Sequence, residues 1–524
     1  MRPLLSGLCL LAACTATHHM VIVRTSDPNS PAAAAALPPV RSADSGRARE
    51  MVRRGIVGPL QSLFNSPGMA RRLAGRRTEA YNVTSTDDVS DAAWIVSHVD
   101  AAAVGPDTST PWTVVGWRRA GTLPVLTIRD AAAREYWLTF DAPEFPEVAT
   151  TAAIVAARLY WATGYHVPTV SLVRFDPEHQ LAAAPDSLRR ALEQLPRDAG
   201  HRDRIRAAAH YLAGRPVGVF SFSGRRRDDP ADSIPHEQRR ELRGLYVVAA
   251  WLNHTGLFRG TTLDVVVDGE RATPAVRHYL LGLETTLDAA GGGVPKKLRA
   301  GAEATWDPGK IVGRTLTLGF FAVPWERSAA APFDPGRWTP DVQNPAFAHR
   351  TTRDGFWGAK RVGAISNAEI EAAVRDAALS DSTHAQAVIA MLEARRTATL
   401  RYWYGRVTPL DGLSLRRSSQ GPTLDFQDLA VVAGLTSAGT RSYEMRASWA
   451  VTSSDTLTLS SEGRGTLRLP PWTGCMRQAG AQQAIEKRIG WIDISTDSPH
   501  AHALRLFVLC AGEPAEYRLV GWRY

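Results

Sequence analysis

YVVAAWLNHTGLFRGTTLDVVVDGERATPAVRHYLLGLETTLD, residues 246–288, is the stretch on which the reading of the whole chain turns. The apolar run through Trp251 and Leu252 reads as the end of a helix, and the polar residues after it as a loop. TTLDVVVD is β-branched and strand-like, Asp268-Gly269 is a tight-turn pair, and the run from Val276 to Leu281 is a second strand before another loop. Polar side chains collect here: His254, Arg259, Asp264, Arg277, His278, Glu284 and Asp288.

Upstream, residues 112–143 alternate in the strand manner, with Val114, Val115, Leu126 and Ile128 apolar and Gly and Pro marking turns. Three antiparallel strands are expected, the last over 135–140. Trp112, Trp117 and Trp137 cluster there and read as core. A helix follows over 147–163, where Val148, Ala152, Val155, Leu159 and Tyr160 share a face. Another strand is expected over 165–174, short charged helices or an insertion over a cleft at 187–195 and 202–213, and a strand over 215–223. The helix that enters the opening stretch begins near Pro235, where a missing N–H costs nothing. Helices are expected again over 367–379 and 382–404.

From about residue 410 the texture changes. SYEMRASWAV, DTLTLSSE, GTLRLPP, ALRLFVLC and AEYRLVGWRY are short alternating runs separated by Gly, Pro, Ser and Asp, the pattern of an antiparallel β-sandwich or barrel.

The N-terminus reads differently. MRPLLSGLCLLAAC has one Arg, a short apolar run and then Cys14. The run falls short of the roughly 20 residues needed to cross a bilayer, so it reads as an export signal. Leu11-Ala12-Ala13-Cys14 resembles a bacterial lipobox, which implies that Cys14 is acylated and becomes the mature N-terminus; a simple cleaved signal with an incidental Cys is the alternative. Residues 15–50 are rich in Ala, Pro and Ser and read as a disordered tether. A helix over 51–73 is expected next. Of the remaining cysteines, Cys475 and Cys510 are expected to form one disulfide in an exported protein, worth roughly 4 kcal/mol by loop-closure entropy; a pair of free thiols is the alternative.

The net charge is +9, carried almost wholly by Arg. The arginines are spread along the chain, and no basic run interleaved with aromatics suggests a nucleic-acid partner. Other chemistries lack their patterns. His236-Glu237 has no second zinc-binding His. Ser221 and Ser223 lie in a strand rather than a Gly-flanked elbow, and DAAGGG lacks a phosphate-loop Lys.

Taken together, the order of elements resembles a bacterial kinase-like group, distantly akin to the spore-coat and persistence kinases. WTVVGWRRAGTLPVLTIRD, YWLTFDAPEFPEVAT, GYHVPTVSLVRF, LRGLYVVAAWLNHTGLFRGTTLD and VRHYLLGLETTLD carry the resemblance, over about 112–405. It implies an α+β fold: a bilobal protein-kinase-like domain over 51–409, then a small antiparallel β-sandwich-like domain over 410–524.

The resemblance also implies where phosphoryl-transfer groups would stand, and there the chain departs from the pattern. The strand Lys is replaced by Thr139 and the helix Glu by Ala153. The catalytic-loop acids become Thr255 and Gly256, the metal-binding Asn becomes Thr261, and the metal-loop Asp becomes Gly282. No Lys occurs before Lys296. The expectation is a catalytically degenerate, pseudokinase-like lipoprotein with no cofactor and no metal. It would be held on the envelope by lipid at Cys14 and would bind an envelope protein or small ligand. The alternative is an atypical nucleotide-dependent phosphotransferase using ATP and Mg²⁺, with its site rearranged around Asp264 and Glu284 and with His254 and Arg259 nearby.

Overall fold

The computed structural model describes residues 105–120, 123–181, 184–225, 235–268, 274–289, 333–418, 421–451, 453–472, 488–496, 501–510 and 517–524. Cys14, the 15–50 tether, the expected 51–73 helix and Cys475 lie outside the described residues. Cys510 is buried at the end of a strand.

An antiparallel sheet opens the described chain. Its strands are β1 (Thr113–Ala120), β2 (Leu123–Arg129), β3 (Glu135–Phe140), β4 (Thr169–Phe175), the two-residue β5 (Arg197–Asp198) and β6 (His201–Tyr211). The order is β1-β2-β3-β6-β4, with β5 pairing β6. One face closes on a core of Leu126, Ile128, Leu138, Phe140 and Phe175, under Leu188 and Leu192 of helix α1 (Asp186–Glu193). The other face meets a second core.

Strand β6 corrects the reading of 202–213 as a charged helix. Its first four residues are exposed, and the run from Ile205 to His210 is then buried as the strand crosses the sheet. Ala207 and Ala209 face the first core and Ala208 the second. A central strand covered on both faces accommodates small side chains, and packing overrides the weak β-propensity of Ala. Arg206 is buried as well, donating to Thr150 Oγ1 at 2.9 Å and to the carbonyls of Ala377 and Ala378. The strand expected over 165–174 begins only at Thr169, and that over 215–223 is confined to β7 (Arg215–Gly218).

Helix α2 (Val148–Ala162) is buried along most of its length, and its run of Ala and Thr lets neighbours approach from several sides. It packs against helix α5 (Asn367–Asp376), and helices α3 (Arg240–Trp251), α4 (Thr352–Gly363) and α6 (Ser382–Tyr404) supply much of the rest of the second core. Helices α3 and α4 are tied by a buried ion pair. Arg243 Nε and Nη2 donate to Asp354 at 2.6 and 2.9 Å, and Asp354 also closes the capping box of α4 with Thr351. Strands β8 (Thr262–Asp268) and β9 (Pro274–Leu280) form a hairpin beside β7.

The C-terminal strands build two antiparallel sheets. One holds β10 (Leu410–Ser418), β11 (Gly421–Asp428) and β14 (Arg464–Arg468). The other runs in the order β13 (Ser453–Thr458), β12 (Thr440–Ala447), β15 (Ile489–Thr496), β16 (Leu504–Cys510) and β17 (Tyr517–Arg523). Both contribute to a third core, with Leu424, Phe426 and Leu467 from the first sheet and Tyr443, Ile492, Leu506 and Val508 from the second. Lys360 of α4 pairs with Asp411 at 2.7 Å, and the Tyr524 ring packs tilted against Phe356, so these strands are fastened to the helices. The fold is a mixture of helices and antiparallel sheets. No described helix is long and apolar enough to cross a membrane.

Candidate functional site

The loop after α3 and the turn after β9 lie against each other. Asn253 leaves the helix in the left-handed region (φ 48), a conformation that Asn tolerates better than most residues. Its side chain is fixed at both ends: Nδ2 donates to Asp288 Oδ1 at 2.7 Å, and Oδ1 accepts from Trp338 Nε1 at 2.8 Å. Asp288 is held in turn by Arg395 Nη2, 2.8 and 2.7 Å from its two oxygens. Leu287 N donates to Leu252 O and Leu281 N to Thr261 O, both at 2.8 Å. Backbone hydrogen bonds therefore join the two loops directly.

His254 sits at the centre with no solvent exposure, its Nδ1 2.9 Å from the Tyr160 hydroxyl of α2. Burial pushes its pKa down to about 3, and a hydrogen bond with the backbone of Gly282 offsets this only in part. The imidazole is neutral and locked. Thr255 is also buried, and its carbonyl accepts from Asp341 N at 2.9 Å. Thr261 Oγ1 lies 2.8 Å from Gly256 O and 2.9 Å from Phe258 O, and it accepts from Phe258 N at 3.1 Å. Thr285 Oγ1 donates to Gly282 O at 2.7 Å, and Thr286 Oγ1 lies 3.1 Å from Ala152 O of α2. The hydroxyls in these loops bind their own backbone.

In the first sheet, Thr139 is buried and lies 2.9 Å from His210 Nε2. His210 stacks on Trp137 at 5.1 Å and 7°. Burial holds its pKa near 3, so this pair is neutral. Ala153 is wholly buried within α2. Trp112 is core, as expected, whereas Trp117 and Trp137 are only half-buried.

Of the residual acids, Asp264 is fully buried and accepts from His278 Nδ1 at 2.5 Å, a cross-strand pair of the β8–β9 hairpin. Glu284 is half-buried in the turn Leu283–Thr285. Burial raises its carboxyl above the ordinary range, and its own backbone and the Arg118 guanidinium of β1 offset part of that rise. Arg259 is exposed, and its carbonyl accepts from the Thr262 hydroxyl at 2.7 Å. Among the described residues no three His, Cys, Asp or Glu come together as a metal-ligating group.

Tyr160, His210, Arg395, Trp338 and Arg118 are the members of this region that sequence reasoning missed. Only Asn253 carried a signal, since Asn just past a helix end commonly takes the left-handed conformation. The others join through contacts separated by tens to more than a hundred residues, which no local pattern encodes.

No protein-family profile matches the chain, and no curated protein matches it. Among solved structures it is similar to the Helicobacter pylori proinflammatory kinase CtkA at 9% identity and TM-score 0.33, over 58% of this chain and 98% of that one. It is also similar to the Golgi casein kinase with Mn/ADP bound, at 9% identity and TM-score 0.29, over 62% and 76%. A second structure of the Golgi casein kinase gives 9% identity and TM-score 0.28, over 57% and 74%. Likeness this loose carries no argument about chemistry.

Proposed function

We propose that the chain is a kinase-like, non-catalytic binding module of the bacterial envelope, bilobal in its first part and sandwich-like in its last. In this reading it is held on the membrane by acylated Cys14 and recognises an envelope protein or small ligand. The observation that carries it is the saturation of the two loops. Thr261 is spent on Gly256 O and Phe258 O, and the turn at Gly282–Thr286 is hydrogen-bonded to itself and to α2. The neutral Thr139–His210 pair stands where the resemblance would place a cation. Phosphoryl transfer depends on charge held around the transferring group, and neutral hydroxyls already bonded to carbonyls are poor substitutes.

One observation favours a second reading, an atypical nucleotide-dependent phosphotransferase. Glu284 is half-buried, with Arg118 close enough to act on its carboxyl. The test is calorimetric titration and thermal shift of the mature chain with ATP and Mg²⁺ or Mn²⁺. The binding-module reading expects no metal-dependent nucleotide signal. A ligand at 100 times its Kd stabilises by about 2.7 kcal/mol, which such a shift would register. Metal-dependent binding that disappears in Glu284→Ala or Asp264→Ala would replace the first reading with the second.

A further inference from the structure

The geometry points to a site for a divalent transition-metal ion, zinc being the type case, formed by His236 and His278 on the face of the β8–β9 hairpin that carries Asp264. Asp264 would orient the second of these rings. The site lies apart from the loops around His254; it shares only Asp264 with the second reading above, and its test turns on His278, which that reading does not use.

Three observations lead there. Alternation along β8 places Asp264 on the opposite face from Leu263 and Val265, which pack with Tyr279 in a small cluster of their own. On that face the rings of His236 and His278 have centroids 5.6 Å apart at 66°, and both contact Phe220. Two imidazoles binding one tetrahedral ion through nitrogen at about 2.0–2.1 Å would have centroids about 5–5.5 Å apart, close to what is seen.

The second observation fixes the tautomers. His236 Nδ1 meets the carbonyl oxygen of Ser221, which can only accept, so this nitrogen carries the proton. His278 Nδ1 meets the carboxylate of Asp264 at 2.5 Å, with the same consequence. In the neutral form of each ring, the form that binds a metal, the basic lone pair is therefore on Nε2. A backbone carbonyl on one ring and a carboxylate on the other are the outer partners that metal-binding histidines use to fix tautomer and orientation.

The third observation is access. His236 is buried, whereas the His278 side chain is 34% exposed, so an ion can reach the pair from the His278 side. With no third His, Cys, Asp or Glu gathered among the described residues, water would fill the remaining positions. Binding should then be weaker than at a site with four protein ligands.

The test is titration of the full mature chain with Zn²⁺ by calorimetry, compared with His278→Gln. Because His18 and His19 sit side by side near the N-terminus, the readout is the difference between the two proteins. One zinc-binding event should vanish in His278→Gln. Asp264→Asn should weaken it about 10- to 100-fold, as loss of an outer-shell partner does. Identical isotherms for the parent chain and His278→Gln would overturn the assignment. Should the variant misfold, histidine ¹⁵N spectra of the unmodified protein decide. Two Nδ1–H rings whose Nε2 signals shift together on adding Zn²⁺ support the site, and an unmoved pair refutes it.

Discussion

Gly256→Ala probes how tightly the two loops are closed on each other. A Cβ at this position would lie 2.5 Å from Thr285 Oγ1 and 3.5 Å from Thr285 Cβ, and only the first of these contacts is intolerable. Gly256 does not have a positive φ, so Ala brings no backbone strain and the cost is one of approach alone. Thr285 can yield only by giving up its hydrogen bond to Gly282 O, 2.7 Å long and worth about 0.5–1.5 kcal/mol. If the loops separate instead, overpacking costs about 1–3 kcal/mol. The two routes together bracket a loss of about 0.5–3 kcal/mol. Calorimetry should resolve it as a drop of roughly 2–4 °C per kcal/mol in one transition of a chain with several cores. Thr285→Ala removes the offending oxygen and leaves the 3.5 Å contact, so Gly256→Ala/Thr285→Ala should be more stable than the sum of the single losses predicts. A neutral Gly256→Ala, or a strictly additive double variant, would refute the closed-loop reading.

Three further outcomes are expected. Truncating Asp354 leaves Arg243 buried without its counter-ion and opens the α4 capping box, for a loss of about 3–5 kcal/mol from the pair and about 1 from the cap. Arg243→Met/Asp354→Leu should cost less than Asp354→Ala alone in urea denaturation, and additivity would show that the pair is not coupled. Stability should fall in mild acid. His210 and His254 are held near pKa 3 when folded but titrate near 6.5 when unfolded, so below pH 6.5 the unfolded chain takes up protons that the folded chain refuses. Each group adds a slope of up to about 1.4 kcal/mol per pH unit between those values. Thermal unfolding between pH 7.5 and 5 should follow this, with a shallower dependence in His210→Gln; an unchanged slope would exclude His210 as a source. Finally, Cys14→Ser should move the protein from the membrane to the soluble fraction, and persistent membrane association would count against acylation.

What the sequence disclosed follows from which forces are local. Glu135–Phe140 and Ser382–Tyr404 match the expected strand and helix because their alternation and capping lie within the segment itself. The 202–213 stretch misled because its charges lie at the exposed start of β6, while its alanines are dictated by cores on either side. Strands β10, β11 and β15 were not singled out, yet GPTLDFQD and IGWIDIST each pair with a strand before and a strand after them, and LDGLSLRRS pairs with β11 at the sheet edge. At the site, the positions lacking charge were legible residue by residue. What had replaced the charge was not, because the Thr139–His210 and Asn253–Trp338 bonds span 71 and 85 residues.

These substitutions also constrain one another, which bears on whether the frame could be reversed to a working site. Gly282 has φ 77 and would place a Cβ 3.1 Å from the Thr261 methyl. An Asp there meets the Thr261 methyl more closely than ordinary contact allows, with a smaller left-handed cost, since Asp tolerates that region better than most residues. A Lys at 139 would displace the hydroxyl that His210 uses and bury an ammonium beside a ring with no counter-charge. Each of these two changes is opposed by a neighbouring group already in place. A charge introduced singly at Gly282 or Thr139 is therefore expected to destabilise the fold before it can bind anything.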